Sequence, residues 1–230
     1  MNQQIMQQQK ERKLKGIADI VFCIDASGSM EPCIEGVKNH IEKFLDGVSS
    51  NPQLSYVNWR LGIVAHDSEH FYIMDFTDDI SRFKNALRKI EPGGNEFTFP
   101  ALDWCLDFPW RDNSHKIIVL FTDEPLETGE DPDFQRSKMK ELFDKITALR
   151  CMVYFVGPSC PEYEEFNKLP RCLFEEIKQH EDFYKVGFDK VLERIGKTIS
   201  DSILSFQQPH KTNITKDIYN INGKIEIIKI

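Results

Sequence analysis

The residues best suited to chemistry sit in "DIVFCIDASGSM", residues 19–30. A run of apolar side chains ends abruptly in Asp25, Ser27 and Ser29, one carboxylate and two hydroxyls spaced two apart. A second apolar run, "KIIVLFTD", ends in Asp123. In a doubly wound sheet, ligands sit outside the carboxyl ends of the strands, where the strand order reverses. If the two runs are neighbouring strands, both carboxylates and both hydroxyls reach one crevice. Such hard oxygens suit magnesium or manganese rather than zinc.

The surrounding pattern supplies the elements that must position them. Residues 17–24 read as a buried strand. Ile34, Val37, Ile41, Phe44, Leu45 and Val48 recur at helical spacing, which predicts a helix over 32–49. Strands follow at 56–66 and 70–77, joined by the short turn Asp67-Ser68-Glu69, and so short a link requires an antiparallel pair. Ile80, Phe83, Leu87 and Ile90 mark the next helix, and a Pro-Gly-Gly-Asn loop at 92–95 leads to a short one over about 99–107. A buried strand at 116–123, a helix at 133–149 and a strand at 151–157 come next. A short helix near 161–168, an edge strand near 171–177 and a last helix over 189–206 complete the body. Strands alternating with helices predict an α/β fold. The sheet is doubly wound, Rossmann-like and mostly parallel, with one antiparallel edge strand and helices on both faces. Asn222-Gly223 between two β-rich runs predicts a C-terminal β-hairpin over 214–230.

With these elements in place, Asp-x-Ser-x-Ser after an apolar strand resembles the von Willebrand factor type A (vWA) domain, in which that motif opens a metal-ion-dependent adhesion site. Two further pieces support the resemblance. "GGNEFTFPALDWCLD" is similar to the family's second loop, with Thr98 as the matching threonine, and Thr122-Asp123 matches its Thr-Asp element. The pieces stand in family order over about residues 17–206. The resemblance implies a divalent ion, Mg2+ or Mn2+, held by Asp25, Ser27, Ser29, Thr98 and Asp123. In the family the hydroxyls tend to ligate directly and the aspartates often act through water. That leaves an open position for an Asp or Glu of a protein partner. The intracellular members of the family imply an AAA-type ATPase, or a kinase and phosphatase system, among the partners.

Glu96 departs from the pattern. It lies two residues before Thr98, and either residue aligns with the family's threonine. If Glu96 ligates, it adds negative charge and can occupy the open position, which makes the site more structural than adhesive.

The expected function is therefore a metal-dependent protein-binding module and not an enzyme. Two alternatives stay open: a metal-dependent phosphoester hydrolase, with Glu96 or Glu124 as base, and a metal-free scaffold with a closed site. Asp25, Ser27, Ser29 and Thr98 could also be simple helix caps. "HDSEH" at 66–70 mixes His, Asp and Ser, and could even place His66 and His70 around a zinc ion. Adjacent turn residues do not converge as a catalytic triad does, so it reads as a polar hairpin turn.

Bulk properties narrow the field. The 230 residues carry a net charge of -8, which argues against a nucleic-acid partner held by bulk electrostatics but leaves room for a local basic patch. No apolar run is long enough to span a bilayer. Six cysteines show no Cys-x-x-Cys pair, and the N-terminus has no apolar leader, so reduced thiols in a cytoplasmic setting are expected. Domain organisation reads as a flexible lead-in over 1–15, the vWA domain over 16–207 and the hairpin extension over 208–230.

Overall fold

A computed structural model describes residues 16–50, 57–178 and 225–230, with the side chains of 48–50 excepted. The expected lead-in over 1–15, the helix over 189–206 and the first half of the hairpin with its Asn222-Gly223 turn lie outside the described residues.

The strands are β1 (Ile17–Asp25), β2 (Asn58–His66), β3 (His70–Thr77), β4 (His115–Phe121), β5 (Met152–Gly157), β6 (Cys172–Glu176) and β7 (Glu226–Lys229). They form one sheet in the order β6-β5-β4-β1-β2-β3-β7. β1 is central and pairs parallel with both β2 and β4, Ile24 beside Ala65 on one side and beside Phe121 on the other. The order reverses at β1. A crevice at its carboxyl end follows from the topology, as the sequence pattern requires.

The helices are α1 (Ile34–Ser50), α2 (Ile80–Leu87), α3 (Thr98–Leu106), α4 (Pro132–Leu149) and the short α5 (Pro161–Glu164). Alternation along β1 divides the core in two. Ile20, Phe22 and Ile24 pack with Val37, Ile41 and Phe44 of α1 and Phe83 of α2. Val21 and Cys23 face the other way, onto Leu102 and Cys105 of α3 and Leu142 and Ile146 of α4. Period 2 in the strand and period 3.6 in the helices thus meet on both faces.

β2 and β3 are antiparallel, as the three-residue link requires. The expectation that the antiparallel strand forms the edge is corrected: β7 lies outside β3 and parallel to it, with His70 beside Glu226 and Ile73 beside Lys229. The second half of the expected hairpin is therefore a strand of the main sheet. Its Glu226 N–H reaches Glu69 O at 2.7 Å, and its Ile230 N–H reaches Ile73 O at 3.1 Å. Near 161–168 the helix is one α-turn continued as a 3-10 turn at Glu165–Lys168.

Candidate metal centre

Asp25 is the last residue of β1 and has no exposure. Its Oδ1 accepts the N–H of Ser27 at 2.8 Å, and its Oδ2 accepts the hydroxyl of Thr122 at 2.6 Å. The first bond folds the chain back into a 3-10 turn at Gly28–Met30, which carries Ser29. Ser27 and Ser29 hydroxyls lie 2.9 Å apart, and Ser29 Oγ donates to Asp123 Oδ1 at 2.9 Å. Asp25, Ser27, Ser29 and Asp123 are thus brought into one network from the ends of neighbouring strands. Ser27 precedes the 3-10 turn, but its side chain makes no capping bond there. Capping does not explain why a serine is used.

The second loop is tied to the first. Gly28 N–H donates to Gly94 O at 3.0 Å, and Gly93 N–H donates to Ala26 O at 2.8 Å. Gly94 has φ +59°, and a Cβ there would lie 2.9 Å from Ser68 Oγ, so this tight approach requires glycine. The loop leads into α3. Gln135 of α4 is fully buried and fixes that helix start, accepting the Phe99 N–H at 3.0 Å and donating to Glu130 O at 2.7 Å.

Thr98 is the first residue of α3, not its cap; Phe97 holds that position. The Thr98 hydroxyl is buried and has no hydrogen-bond partner. The Tyr163 hydroxyl gives its proton to Glu124 O at 3.2 Å, and its oxygen lies near enough to attract the Thr98 hydroxyl, though no hydrogen bond of ordinary geometry joins the two. A buried hydroxyl without a well-formed hydrogen bond calls for a partner, and a divalent ion is one that the residue types fit.

Glu96 is 3% exposed and lies apart from this network. Its Oε1 accepts the Thr128 hydroxyl at 3.1 Å, and a Cβ on Gly129 would lie 3.1 Å from the same oxygen. Burial pushes Glu96 up to about 7, and the charges of Asp25 and Glu124 add to the effect. Burial pushes Asp25 to about 7 as well. The hydrogen bonds from Thr122 and Ser27 oppose that rise, and the neighbouring Asp123 charge reinforces it. Two carboxylates and their hydroxyls converge here with a deficit of positive charge, which a hard divalent cation would fill. Among the described residues no three His, Cys, Asp or Glu side chains group to hold a metal; the candidate set relies on hydroxyls for the rest of its donors.

The residues of "HDSEH" form a turn. Asp67 Oδ1 accepts the N–H groups of Glu69 at 2.6 Å and His70 at 2.7 Å, and the carboxylate pairs with the His70 ring at 3.2 Å. His66 is buried, its Nδ1 accepting the Phe97 N–H at 3.3 Å. The sequence reading missed Thr122 as a partner of Asp25 and Gln135 as the anchor of α3. Both bonds link residues far apart in the chain, and no local pattern announces them. A cavity of about 610 Å³ opens beside the second loop, lined by Ser68, His70, Gly94, Glu130 and Glu226 among others.

Comparison with known proteins agrees with this architecture. Residues 20–125 match the family model of the von Willebrand factor type A domain. Over those residues the chain is similar to that domain. It is 24% identical over 226 residues to the Alpha-protein kinase vwkA of Dictyostelium discoideum, covering 88% of this chain and 36% of that protein. Among solved structures it is similar to a von Willebrand factor type A protein from Catenulispora acidiphila, with TM-score 0.59, 15% identity, and 77% of this chain and 42% of that one covered. Proximal thread matrix protein 1 of the mussel byssus gives TM-score 0.59 at 17% identity, covering 80% and 46%. The pilus adhesin SpaC of Lactobacillus rhamnosus GG gives 0.58 at 14%, covering 80% and 30%. The chain thus spans about a third of the kinase relative and less than half of each solved structure. Domains of this family generally serve as protein-interaction modules. No helix among the described residues is long and apolar enough to cross a membrane.

Proposed function

We propose that the domain is a divalent-metal-dependent interaction module that binds an acidic residue of a protein partner. Ser27, Ser29 and Thr98 would hold Mg2+ or Mn2+ through their hydroxyls, with Asp25 and Asp123 supplying the negative charge. When bound, the ion supplies an electrophilic position for a carboxylate from outside the chain. This chain's residues do the positioning. Thr122 and the Ser27 N–H orient Asp25, Ser29 is held against Asp123, and the Gly28–Gly94 tie brings the second loop alongside the first.

The observation that carries this reading is Thr98 Oγ1, a buried donor with no well-formed hydrogen bond. It opens a helix whose lead-in loop is hydrogen-bonded to the Asp25 turn. Glu96 stays outside the ligand set in this reading, because its carboxylate is hydrogen-bonded to Thr128 and not to Ser27 or Ser29.

The relation to a protein named as a kinase supports a role beside phosphorylation chemistry, with this domain as the recognition part and not the catalytic one. A cytoplasmic location and an AAA-type ATPase or a kinase and phosphatase system as partner belong to the same proposal. Calorimetric titration of the chain with Mg2+ and Mn2+ tests it. The wild type takes up one ion, Asp25→Ala takes up none, and Glu96→Ala still binds. A protein partner captured with Mg2+ is released by chelator. Absence of any metal uptake at millimolar concentration, with partner capture unaffected by chelator, sinks the proposal.

A further inference from the structure

The two ends of the sheet differ in charge. Acids gather at the carboxyl ends of the strands, around Asp25 and Asp123. Bases gather at the amino ends of β4, β5 and β6. His115 opens β4 and Lys116 follows it. Arg150 follows α4 in a left-handed conformation, φ 53°, two residues before β5 begins at Met152. Arg171 immediately precedes β6. The parallel register puts Ile117 beside Met152 and Val153 beside Cys172, so all four bases fall at one end of three adjacent strands. The Val153 N–H to Arg171 O bond at 3.2 Å and the Cys151 Sγ contact to Lys116 O at 3.5 Å hold that end together.

Arg171 is the centre of this group. It is half-buried, and its Nε is buried with no hydrogen-bond partner among the described residues. Burial and the Arg150 charge both work against its guanidinium charge. The same repulsion reaches outward. After burial, Arg171 and Lys116 are what hold the His115 ring below its ordinary range. Of the nearby acids, Asp19 and Asp112 act on Lys116, whose Nζ also donates to Asp112 O at 3.4 Å. Two guanidiniums that repel each other, one of them with a buried donor unpaired, are costly, and the natural complement is a compact multiply charged oxyanion. The gathering runs against the chain's own net charge of -8, so it is not a by-product of a basic composition.

We propose that the amino-terminal end of β4, β5 and β6 binds a phosphate group, with Arg171 and Arg150 as its principal partners and Lys116 and His115 at its margin. The phosphate chemistry has two sources, a phosphorylated residue of a protein or free inorganic phosphate. The site lies at the opposite end of the sheet from the Asp25 network and does not depend on the metal reading.

The full chain is titrated at low salt with sodium phosphate, with a short phosphoserine peptide and with the same peptide unphosphorylated. Calorimetry gives affinity, and NMR of the arginine Nε–H and His115 ring signals gives location. Phosphate is expected to shift the Arg171 Nε–H signal. Arg171→Gln weakens binding by about tenfold or more, as for loss of one charge-assisted hydrogen bond, and Arg150→Gln weakens it less. Arg171→Lys restores part of it, which separates charge recognition from a general loss of structure. Tighter binding of the phosphopeptide than of inorganic phosphate assigns the source to protein, and the reverse order assigns it to the free ion. The proposal is overturned if neither phosphate probe binds at millimolar concentration. It is equally overturned if both bind Arg171→Gln as well as wild type, or if the unphosphorylated peptide binds as well as the phosphopeptide.

Discussion

Thr122 Oγ1 donates to Asp25 Oδ2 at 2.6 Å, joining the end of β1 to the residue that follows β4. With the Ser27 N–H on the other oxygen, the Asp25 carboxylate is held from both sides at zero exposure. Burial still outweighs these bonds and pushes Asp25 up from 3.8 to about 7. The folded state therefore holds this proton more tightly than the unfolded chain does. Stability from it is full below the unfolded value near 3.8 and is lost as pH rises through about 7. Glu96 shifts in the same direction, from 4.5 to about 7. In chelator, the melting temperature is expected to fall by several degrees between about pH 5.5 and about pH 8, each kcal/mol being worth roughly 2–4 °C at this size. Calorimetric melts in both buffers check it, and a rise with pH would contradict the assignment.

Thr98→Val separates the ligand reading from the structural one. The substitution keeps the shape and removes a buried hydroxyl that has no partner. Loss of an unsatisfied polar group is neutral, or stabilising by about 1 kcal/mol. If Thr98 holds the ion, Mg2+ affinity falls at the same time by about tenfold or more, equivalent to roughly 1.4 kcal/mol per factor of ten. Unchanged stability with weaker metal binding is the expected pair of results. Lower stability with unchanged binding would make Thr98 a packing residue.

Glu96→Gln asks whether Glu96 shares the ion. The amide retains an oxygen to accept the Thr128 hydroxyl, which now meets Glu96 Oε1 at 3.1 Å. At about pH 8 the variant removes a buried charge, and a gain of about 1 kcal/mol in metal-free stability is expected. At about pH 5 the gain vanishes, because the wild-type side chain is already neutral there. Mg2+ affinity should stay within about threefold, less than 1 kcal/mol. A much larger loss, measured in the same calorimeter, would place Glu96 among the ligands.

The parts of the fold that were legible in the sequence are those governed by local pattern. The run before Asp25 became β1 because continuous β-branched and apolar residues suit a strand buried on both faces. The three-residue link after His66 could make only an antiparallel pair. Helix α4 was expected from 133 and begins at Pro132, whose fixed φ suits a first turn. The pairing of β7 with β3 was not legible, because Asn222-Gly223 speaks for local pairing while β7 bonds a strand some 150 residues away. In the site, Asp25, Ser27, Ser29 and Asp123 could be grouped by type and position. The proposal of Thr98 over Glu96 draws on three-dimensional information, the Thr128 bond to Glu96 and the lack of a well-formed bond at Thr98.

Asp19 lies near the opposite end of β1 and is fully buried. Arg60 Nε and Arg111 Nε both donate to its Oδ1 at 2.9 Å, and the Arg111 N–H reaches Oδ2 at 2.9 Å. Burial pushes its pKa up, but the two guanidiniums outweigh burial and hold it below the ordinary value. Asp19→Asn removes the charge that both arginines face, and a loss of about 3–5 kcal/mol is expected, as for breaking a buried ion pair. Because the folded pKa is depressed, this stability is present above about pH 4 and is lost as pH falls through the folded value. Denaturant melts at about pH 7 and about pH 3 should show the gap between wild type and variant shrinking in acid.

Deleting residues 225–230 tests how far β7 belongs to the domain. Its side chains are mostly exposed, Ile227 at 46%, while Ile225 and Ile230 pack against opposite faces of the core. Its Lys229 pairs with Asp75 at 3.1 Å, an exposed ion pair worth at most about 1 kcal/mol. The strand adds its bonds to β3 and touches neither Asp25 nor Asp123 through any of them. The shortened chain should stay folded, melt lower by roughly 2–8 °C for a loss of one or two kcal/mol, and bind Mg2+ as before. Hydrogen exchange should quicken at Phe71 to Ile73, where β3 loses its outer neighbour. If the deletion unfolds the chain outright, β7 is an integral strand whose burial of Ile225 and Ile230 the core cannot do without. If exchange at β3 is unchanged, the pairing of β7 with β3 does not persist in solution.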